Sequence, residues 1–431
     1  MGVRVTAGGT ALEEALEFLF ARATAGAKFG LERTHALLDA LDHPHRAYPV
    51  IHVAGTNGKG SALATAEALL RGRRLRVGKY TSPHLVEFRE RVLVDGVPVA
   101  ADFIVDFVDR WTPLVERLGA TFFEATTALA FDAFARARVD VALIETGLGG
   151  RLDSTNVVEP TSAGVTSIGW DHMEYLGHTL EAIALEKAGI FKPGRPAVIG
   201  EQSQELRDVL RRRAIELGAA PVVVEAGSVR DVDVSVRGTS AILTMFGEQQ
   251  RLRTPLTGVH QAYNLAFTLA LLHAAGPRYA FSLRDAEPLL GTIALPGRFQ
   301  RYDDYIFDVA HNADGARVLA ETLRAVLPKP PIRVLFCALR DKDWREMLRA
   351  LAPVAESFVL TNAPTAPASR AWNLEEARDF LRRESIACAA VPSFDDAMHE
   401  ARREAGTVLV TGSFHTVGDA MARLQVSPFA S

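Results

Sequence analysis

Seven consecutive residues, Gly55-Thr56-Asn57-Gly58-Lys59-Gly60-Ser61, combine glycines, a lysine and hydroxyl groups in a pattern suited to phosphate binding. The apolar run at residues 49–53 predicts a buried strand before them, and the Ala- and Leu-rich run at 62–70 predicts a helix after them. A glycine-rich turn between a strand and a helix directs backbone N–H groups and the positive helix end toward phosphate. Lys59 would reach the β- and γ-phosphates of a nucleotide, and Ser61 could face Mg²⁺.

This segment differs from the common pattern G-x-x-x-x-G-K-[ST] at two points. Gly60 separates Lys59 from Ser61, and Val53 stands where the first glycine is usual. The alternative interpretation is a glycine-rich turn that carries a surface lysine. The flanking strand and helix favour phosphate binding, because they supply the setting that the motif requires.

Polar clusters also follow three other predicted strands. These clusters are Ser82-Pro83-His84, Glu145 with Gly147-Leu148-Gly149-Gly150-Arg151, and Asp171-His172. The carboxyl ends of parallel strands meet at one edge of a sheet, so we expect the clusters to converge there. The donors near a nucleotide would be Ser61, Ser82, Glu145 and His172, which together predict a magnesium site. The alternative for any one of them is a structural role in the core.

Alternating strands and helices indicate a mostly parallel α/β fold with crossover helices. Strands are predicted near residues 49–53, 76–80, 91–96, 141–145, 163–168, 197–199 and 222–224, and an antiparallel ribbon near 229–256. Helices are predicted near 12–20, 102–118, 124–136 and 260–274, and another is predicted through 37–41 after a loop at 29–33. Beyond Leu295-Pro296-Gly297-Arg298, further strands are predicted near 305–309, 333–336, 357–360 and 408–410. We therefore predict a P-loop-type ATPase domain at 1–296 and a smaller, Rossmann-like α/β domain at 297–431.

The bulk composition excludes several classes of partner. The 431 residues contain 48 basic and 52 acidic side chains, and the net charge of −4 provides no general attraction to nucleic acid or membranes. No apolar stretch reaches the roughly 18 residues of a membrane span. The two cysteines, Cys337 and Cys388, have no metal-site spacing. We expect a cytoplasmic protein, and a monomer.

Taken together, the motifs resemble the folylpolyglutamate synthase/dihydrofolate synthase family of the Mur ligase superfamily. The segments that carry the resemblance are 55–61, Tyr80-Thr81-Ser82-Pro83-His84, Phe123-Glu124, 145–156, Asp171-His172 and Glu186-Lys187-Ala188-Gly189-Ile190. The resemblance extends from about residue 29 to residue 417, and the order of the motifs matches.

This resemblance implies ATP-dependent joining of L-glutamate to a folate at a site between the two domains. Whether dihydropteroate is a second acceptor stays open from the sequence. The substrate carboxylate attacks the γ-phosphate of ATP, and the amine of glutamate then attacks the acyl phosphate. Such a reaction needs charge neutralisation and in-line positioning. Lys59 and two magnesium ions would neutralise the phosphates.

The resemblance also implies individual residue roles. The ATP contacts would be Gly55, Thr56, Asn57, Gly58, Lys59, Gly60, Ser61, Asn264, Arg298 and Asp308. The catalytic residues would be Lys59, Lys187, His172 and Glu145, and the magnesium ligands would be Ser82, Glu145, His172 and Lys187. Lys187 would act as a carbamate; from spacing alone, the alternative is a surface pair with Glu186. The folate or pteroate contacts would be Phe29, Gly30, Phe123, Glu124 and Arg151, and the glutamate contacts would be His311 and Ser413.

Three segments depart from the family pattern. Val309 stands where the family usually has glycine, and valine cannot cheaply adopt a left-handed backbone, so we expect a slightly different site there. Arg340 belongs to an altered start of a segment that keeps the family's ending Asp341-Lys342-Asp343. Lys28-Phe29-Gly30-Leu31 replaces the Asp-Leu-Gly-Leu that is frequent in dihydropteroate-using enzymes, so folate elongation is the safer prediction.

Two other functions stay open from the sequence. One is a Mur-type ligase for a different carboxylate, but cell-wall Mur ligases usually carry a UDP-binding domain before the phosphate loop. The roughly fifty residues before the loop are too few for such a domain. The other is a nucleotide-binding module without catalysis, which would not need Glu145, His172 and Lys187 together.

We predict that Lys59→Ala abolishes turnover with little loss of folding stability, because we expect the lysine on a surface loop, where its charge would serve the phosphates. ADP release and thermal unfolding of the purified variant measure the two effects separately. Normal turnover in a folded variant would remove the phosphate-loop interpretation.

Overall fold

The computed structural model describes residues 7–23, 30–201, 203–327, 332–403 and 406–429. In these ranges the strands form three sheets, of eight, three and six strands. No described helix is long and apolar enough to cross a membrane. The mostly parallel sheet and the second, smaller α/β unit confirm the predicted fold class. Lys28 and Phe29 lie outside the described residues.

The large sheet has the order β4-β3-β2-β5-β1-β6-β7-β8 and is parallel from β2 to β8, with β3 and β4 antiparallel at one edge. Its strands are β1 (Val50–Ala54), β2 (Val77–Tyr80), β3 (Val92–Val94), β4 (Val97–Pro98), β5 (Val141–Glu145), β6 (Ser162–Val165), β7 (Pro196–Ile199) and β8 (Ala220–Val223). The helices within this stretch are α1 (Ala7–Phe20), α2 (Glu32–Ala40), α3 (Lys59–Gly72), α4 (Ala101–Leu118), α5 (Phe122–Ala137), α6 (Met173–Leu176), α7 (Leu180–Ala188) and α8 (Gln204–Glu216).

Helix α3 is anchored through its small side chains. Ala62 and Ala66 are fully buried in one cluster with Ile51 and Val53 of β1. Thr268, from a later helix, donates a hydrogen bond to the Ala62 carbonyl at 3.3 Å. This packing fixes the first turn of α3, which begins directly at the phosphate loop.

The predicted ribbon is confirmed as a separate antiparallel sheet of three strands. It consists of β9 (Val229–Ser235), β10 (Gly238–Met245) and β11 (Glu248–Thr254), and it is followed by α9 (Val259–Ala274) and α10 (Leu283–Leu290). Leu243 and Leu252 are buried in the same apolar cluster as Leu265 of α9. The ribbon therefore covers α9 rather than extending the large sheet.

The third sheet has the order β12-β13-β17-β14-β15-β16 and is parallel except for β12. Its strands are β12 (Gln300–Tyr302), β13 (Tyr305–Phe307), β14 (Ile332–Phe336), β15 (Ser357–Leu360), β16 (Cys388–Ala390) and β17 (Thr407–Thr411). Its helices are α11 (Ala313–Val326), α12 (Trp344–Leu351), α13 (Leu374–Arg383), α14 (Phe394–Arg402) and α15 (Phe414–Arg423). The sequence analysis missed β12 and β16. The domain boundary between 296 and 297 falls in the connection from α10 to β12 and stays a prediction.

The two sheet-containing units are packed together at Leu85, which follows β2. The Leu85 side chain packs against the apolar cluster of the third sheet, which includes Val309 and Val417. Gly418, in α15, approaches so closely that a Cβ atom there would lie 1.9 Å from the Leu85 carbonyl oxygen. Only glycine fits at this point of α15.

We predict that Gly418→Ala lowers the free energy of unfolding by about 1–3 kcal/mol, because the added methyl group overpacks this contact. In an exposed helix the same change would stabilise the protein. Gly291→Ala is the matched control, since a Cβ at Gly291 would have no heavy atom within 4 Å. Urea denaturation compares the two variants, and equal midpoints would contradict the close approach.

Candidate functional site

Four neighbouring strands of the large sheet, β2-β5-β1-β6, end at the same edge. Val53 of β1 pairs with Glu145 of β5 on one side and with Gly164 of β6 on the other. Tyr80 of β2 pairs with Ile144 of β5. The phosphate loop and the three other polar clusters follow these strands, so the sheet order brings them to one edge.

The phosphate loop depends on two glycines with a positive φ angle. Gly55 has φ +149° and Gly58 has φ +91°, conformations that other residues rarely adopt. A Cβ at Gly58 would lie 2.5 Å from the Asn264 amide oxygen, so Asn264 of α9 lies directly against the loop. The loop is also held by Thr56, whose N–H donates to the Ser167 carbonyl at 2.7 Å.

Lys59 is the first residue of α3, and its side chain is only 16% exposed. The alternative interpretation, in which Lys59 is a surface lysine on a glycine-rich turn, is therefore wrong. Its Nζ donates to the carbonyl oxygens of Gly55 and Thr56 at 3.0 and 3.3 Å. It also lies 3.7 Å from Glu145 Oε1. Burial raises the pKa of Glu145, and the Lys59 charge opposes this rise. Lys59 thus connects the loop to the carboxylate at the end of β5.

Ser82 and Glu145, two of the predicted magnesium ligands, are in direct contact. The Ser82 N–H donates to Glu145 Oε2 at 3.3 Å. No group of three or more His, Cys, Asp or Glu side chains within the described ranges is arranged to hold a metal ion. A buried carboxylate beside hydroxyl groups suits Mg²⁺, which usually keeps several waters and binds through one or two carboxylates plus substrate phosphates. The residues present therefore fit a magnesium ion that is shared with a nucleotide.

Lys187, in the last turn of α7, is buried with 5% exposure. Its Nζ donates to the Gly55 carbonyl at 3.0 Å. The alternative of a surface pair with Glu186 is wrong, because Glu186 pairs instead with Arg151 at 2.9 Å. Burial, reinforced by the charge of Lys59, lowers the pKa of Lys187 to about 7. A neutral amine is therefore accessible at this position near physiological pH.

Asp171 and His172 meet two residues of the second domain. Lys342 makes an ion pair with Asp171, and its Nζ lies 3.4 Å from His172 Nε2. His311 Nε2 lies 3.5 Å from Asp171 Oδ2. Burial and the Lys342 charge lower the pKa of His172 to about 3, so its imidazole is neutral. Burial alone would raise the pKa of Asp171, but the hydrogen bond from His311 and the Lys342 charge lower it well below its usual range.

Arg298 and Asp308 lie near the start of the second domain, and their opposite charges attract each other. Burial lowers the pKa of Arg298, and the Asp308 charge opposes this change. The Asp308 carboxylate accepts backbone hydrogen bonds from Phe299 and Ala310, both at 2.9 Å. Val309 lies between Asp308 and Ala310 in the sequence. It is not among the described residues with a positive φ angle. Its side chain is buried in the apolar cluster with Leu85, which explains how valine is accommodated here.

A cavity of about 560 Å³ lies between the phosphate loop and the second domain. This volume is within the range of about 300–1,000 Å³ that is typical of ligand pockets. The predicted site residues that line it are Gly55, Thr56, Asn57, Gly58, Lys59, Gly60, Ser61, Ser82, Glu145, His172, Lys187, Asn264, Arg298, Asp308 and His311. The predicted nucleotide and metal residues are thus brought together around one space.

Five other predicted residues that the structure describes lie outside the cavity wall: Gly30, Phe123, Glu124, Arg151 and Ser413. Phe123 stacks on Tyr80 with ring centroids 6.0 Å apart and lies against Gly147. Glu124 caps the start of α5 and pairs with Arg33 at 2.9 Å. Their roles toward a folate stay predictions, and Phe29 lies outside the described residues.

Ser413 is occupied in capping α15. Its hydroxyl accepts the Thr416 N–H at 3.1 Å and contacts the Thr416 hydroxyl at 2.7 Å. The next residue, Phe414, lines the cavity and contacts the His311 ring at a centroid distance of 5.5 Å. The role of Ser413 toward glutamate therefore stays a prediction.

The sequence analysis assigned no role to Lys342 or Asn312. Asn312 Nδ2, from the second domain, donates to Asn57 Oδ1 of the phosphate loop at 3.1 Å. The segment Asp341-Lys342-Asp343 keeps the family pattern, and this match was the sequence feature that could have pointed to a role for Lys342. Spacing alone could not show that Lys342 reaches Asp171.

Comparison with known proteins agrees with this geometry. The Mur ligase middle domain matches residues 53–272, and the Mur ligase, glutamate ligase domain matches residues 297–414. A Bacillus subtilis dihydrofolate synthase/folylpolyglutamate synthase is 35% identical over 96% of this chain and 100% of its own. Mycobacterium tuberculosis folylpolyglutamate synthase complexed with ADP and AMPPCP superposes with a TM-score of 0.89 at 32% identity, over 98% of this chain and 100% of that one. A bifunctional folylpolyglutamate synthase/dihydrofolate synthase with Mn, AMPPNP and L-glutamate bound gives a TM-score of 0.80 at 32% identity, with coverage of 98% and 100%.

Proposed function

Because the chain belongs to the folylpolyglutamate synthase/dihydrofolate synthase family of the Mur ligase superfamily, we propose that it joins L-glutamate to the carboxylate of a folate or of dihydropteroate. ATP supplies the free energy of the reaction. The relative from Bacillus subtilis is named for both activities. We divide the enzyme into an ATP-binding domain at 1–296 and a glutamate ligase domain at 297–431.

One observation carries this proposal: the phosphate loop and Glu145 stand at the ends of neighbouring strands, Asp171-His172 follows the next strand, and His311 of the other domain lies 3.5 Å from Asp171. Such a site accepts a triphosphate on one side and a second reactant from the opposite domain. A nucleotide-binding module without catalysis would not need charged groups from both domains around one cavity.

The reaction proceeds in two steps. The substrate carboxylate oxygen attacks the γ-phosphorus, and ADP leaves with the electron pair of the broken P–O bond. The glutamate amine then attacks the acyl carbon and loses a proton, and inorganic phosphate leaves with the electron pair of the broken C–O bond as the amide forms. Lys59 compensates the charge of the β- and γ-phosphates, while Asn264, Arg298 and Asp308 orient the rest of the nucleotide. His311 and Ser413 are assigned to the incoming glutamate.

Ser82, Glu145 and His172 would hold magnesium next to the phosphates. A bound divalent ion would neutralise phosphate charge and would stabilise the attacking and leaving oxygens around the γ-phosphorus. A related enzyme contains manganese together with a nucleotide analogue and glutamate, which supports a divalent ion in this family. Two ions per site is our proposal for this chain.

We further propose that Lys187 carries a carbamate. Within the described residues no carboxylate lies at ion-pair distance from its ammonium, and its Nζ contacts only a backbone carbonyl. A carbamate forms when the neutral amine adds CO₂ and releases a proton, and it supplies two anionic oxygens. Magnesium prefers such donors, whereas an ammonium group would repel it.

We also propose that the enzyme is cytoplasmic and monomeric. Both cysteines are free thiols in the structure, which agrees with a reducing compartment. The substrates are small molecules, and the net charge of −4 favours neither nucleic acid nor membranes.

The test of the function is ADP release with glutamate plus dihydropteroate, compared with glutamate plus tetrahydrofolate. We expect glutamate-dependent ADP release with both acceptors, and the ratio of the two rates measures bifunctionality. Reactions without glutamate are the control for simple ATP hydrolysis. ADP release that is independent of glutamate with either acceptor would contradict the proposal.

For the carbamate, we expect Lys187→Ala to lower kcat by at least about 100-fold, since a magnesium ligand is lost. Short-chain carboxylates such as acetate should partly restore the rate by occupying the vacated space. Lys192→Ala is the matched control, because Lys192 donates to the Asn156 carbonyl at 3.0 Å and does not line the cavity. Wild-type kcat in Lys187→Ala would refute the assignment.

A further inference from the structure

Lys342 is a charged group without a role in the proposed reaction, and it lies at the contact between the domains. Its side chain is 7% exposed, and it follows β14 of the second domain. A buried ammonium group needs a partner, and Lys342 finds it in Asp171 of the first domain. Asp171 and His172 line the cavity, whereas Lys342 is absent from the described residues of the cavity wall. Lys342 therefore contacts residues of the cavity wall without lining the cavity itself.

The Asp171 carboxylate connects three groups. Its Oδ1 accepts a hydrogen bond from Lys342 Nζ and a second one, at 2.9 Å, from the backbone N–H of His172. Its Oδ2 lies 3.5 Å from Nε2 of His311. The same carboxylate thus fixes a proposed metal ligand of one domain and a proposed glutamate contact of the other.

His172 depends on this support because its backbone is strained. Its φ angle is +52°, in the left-handed region that residues other than glycine seldom adopt. Such conformations persist only where the surroundings over-determine them. The bond from the His172 N–H to Asp171 supplies part of that constraint, and it requires that the carboxylate be held in place.

We propose that Lys342 is a positioning residue, which holds Asp171 so that His172 and His311 are placed together at the cavity. The contact makes the arrangement of the first domain's metal ligand depend on the presence of the second domain. This inference rests on the proposed function, in which His172 binds magnesium and His311 meets glutamate. The phosphate loop has no contact with Lys342 among the described hydrogen bonds, so nucleotide binding is independent of it.

The first test compares Lys342→Ala and Lys342→Arg, with Arg340→Ala as the matched control. Arg340 is an exposed cation two residues away that has no contact with Asp171 in the described structure. We expect Lys342→Ala to lower kcat/KM for glutamate by about 10–100-fold and to raise the magnesium concentration at half-maximal rate. The Kd of an ATP analogue in the absence of magnesium should change less than about 2-fold. Lys342→Arg should restore part of the rate.

A double-mutant cycle with Asp171→Asn tests whether Lys342 acts through Asp171. If it does, the double variant is no slower than Asp171→Asn alone. If the fold-losses in rate of the two single variants multiply in the double variant, Lys342 acts independently of Asp171, and the proposal is overturned. Wild-type kinetics in Lys342→Ala would overturn it as well.

Hydrogen–deuterium exchange in the ligand-free protein separates this proposal from the proposed function, because it needs no substrate. We expect Lys342→Ala to increase exchange in residues 169–173 and 309–313, and Arg340→Ala to leave both segments unchanged. Unchanged exchange in Lys342→Ala would refute the positioning role even in an active enzyme. Increased exchange in a protein without glutamate-dependent ADP release would retain the positioning role and reject only the assigned reaction.

Discussion

Parallel pairing of β1 with β5 on one side and with β6 on the other is the constraint on which the site depends. Glu145 lies opposite Val53 in this pairing, and a shift of one residue would turn its side chain to the other face of the sheet. Ile51 and Val53 are fully buried against α3 and α9, so the apolar core determines the register. The position of the carboxylate is therefore fixed by neighbouring residues that perform no chemistry.

The same edge of the sheet brings two lysine amines to one carbonyl oxygen. Lys59 and Lys187 both donate to the Gly55 carbonyl at 3.0 Å, and one carbonyl oxygen has only two lone pairs for them. Two ammonium groups on one acceptor repel each other, and this repulsion adds to burial in lowering the pKa of Lys187. A triphosphate would give Lys59 a stronger acceptor than the carbonyl. The charge of Lys59 thus serves the phosphates, while its repulsion of Lys187 favours the neutral amine that the proposed carbamate requires.

Local pattern was sufficient to predict most of the fold and the group of residues around the cavity. Strong periodicity located α4 and α5, and apolar runs located β1 and β5 within one or two residues. β12 and β16 have only three residues each, too few for a periodic signal. The pair of Asp171 and Lys342 spans 171 residues, and no local spacing encodes such a contact. Glu124 matched a motif, but its observed contacts are a helix cap and an ion pair.

The two domains meet through an apolar contact and through polar contacts. At Leu85 the contact is apolar, and the backbone of α15 approaches closely enough to require Gly418. At Asn57 and Asp171 the contacts are hydrogen bonds and ion pairs with Asn312 and Lys342. Separation on the polar side exchanges protein hydrogen bonds for water, at about 0.5–1.5 kcal/mol for a neutral pair and about 1.5–3 kcal/mol for a charged one, whereas separation at Leu85 exposes apolar surface. The polar side is the one that carries His172 and His311. Because the proposed acyl phosphate must be protected from water until the amine arrives, we expect the residues assigned to the two reactants also to close the site.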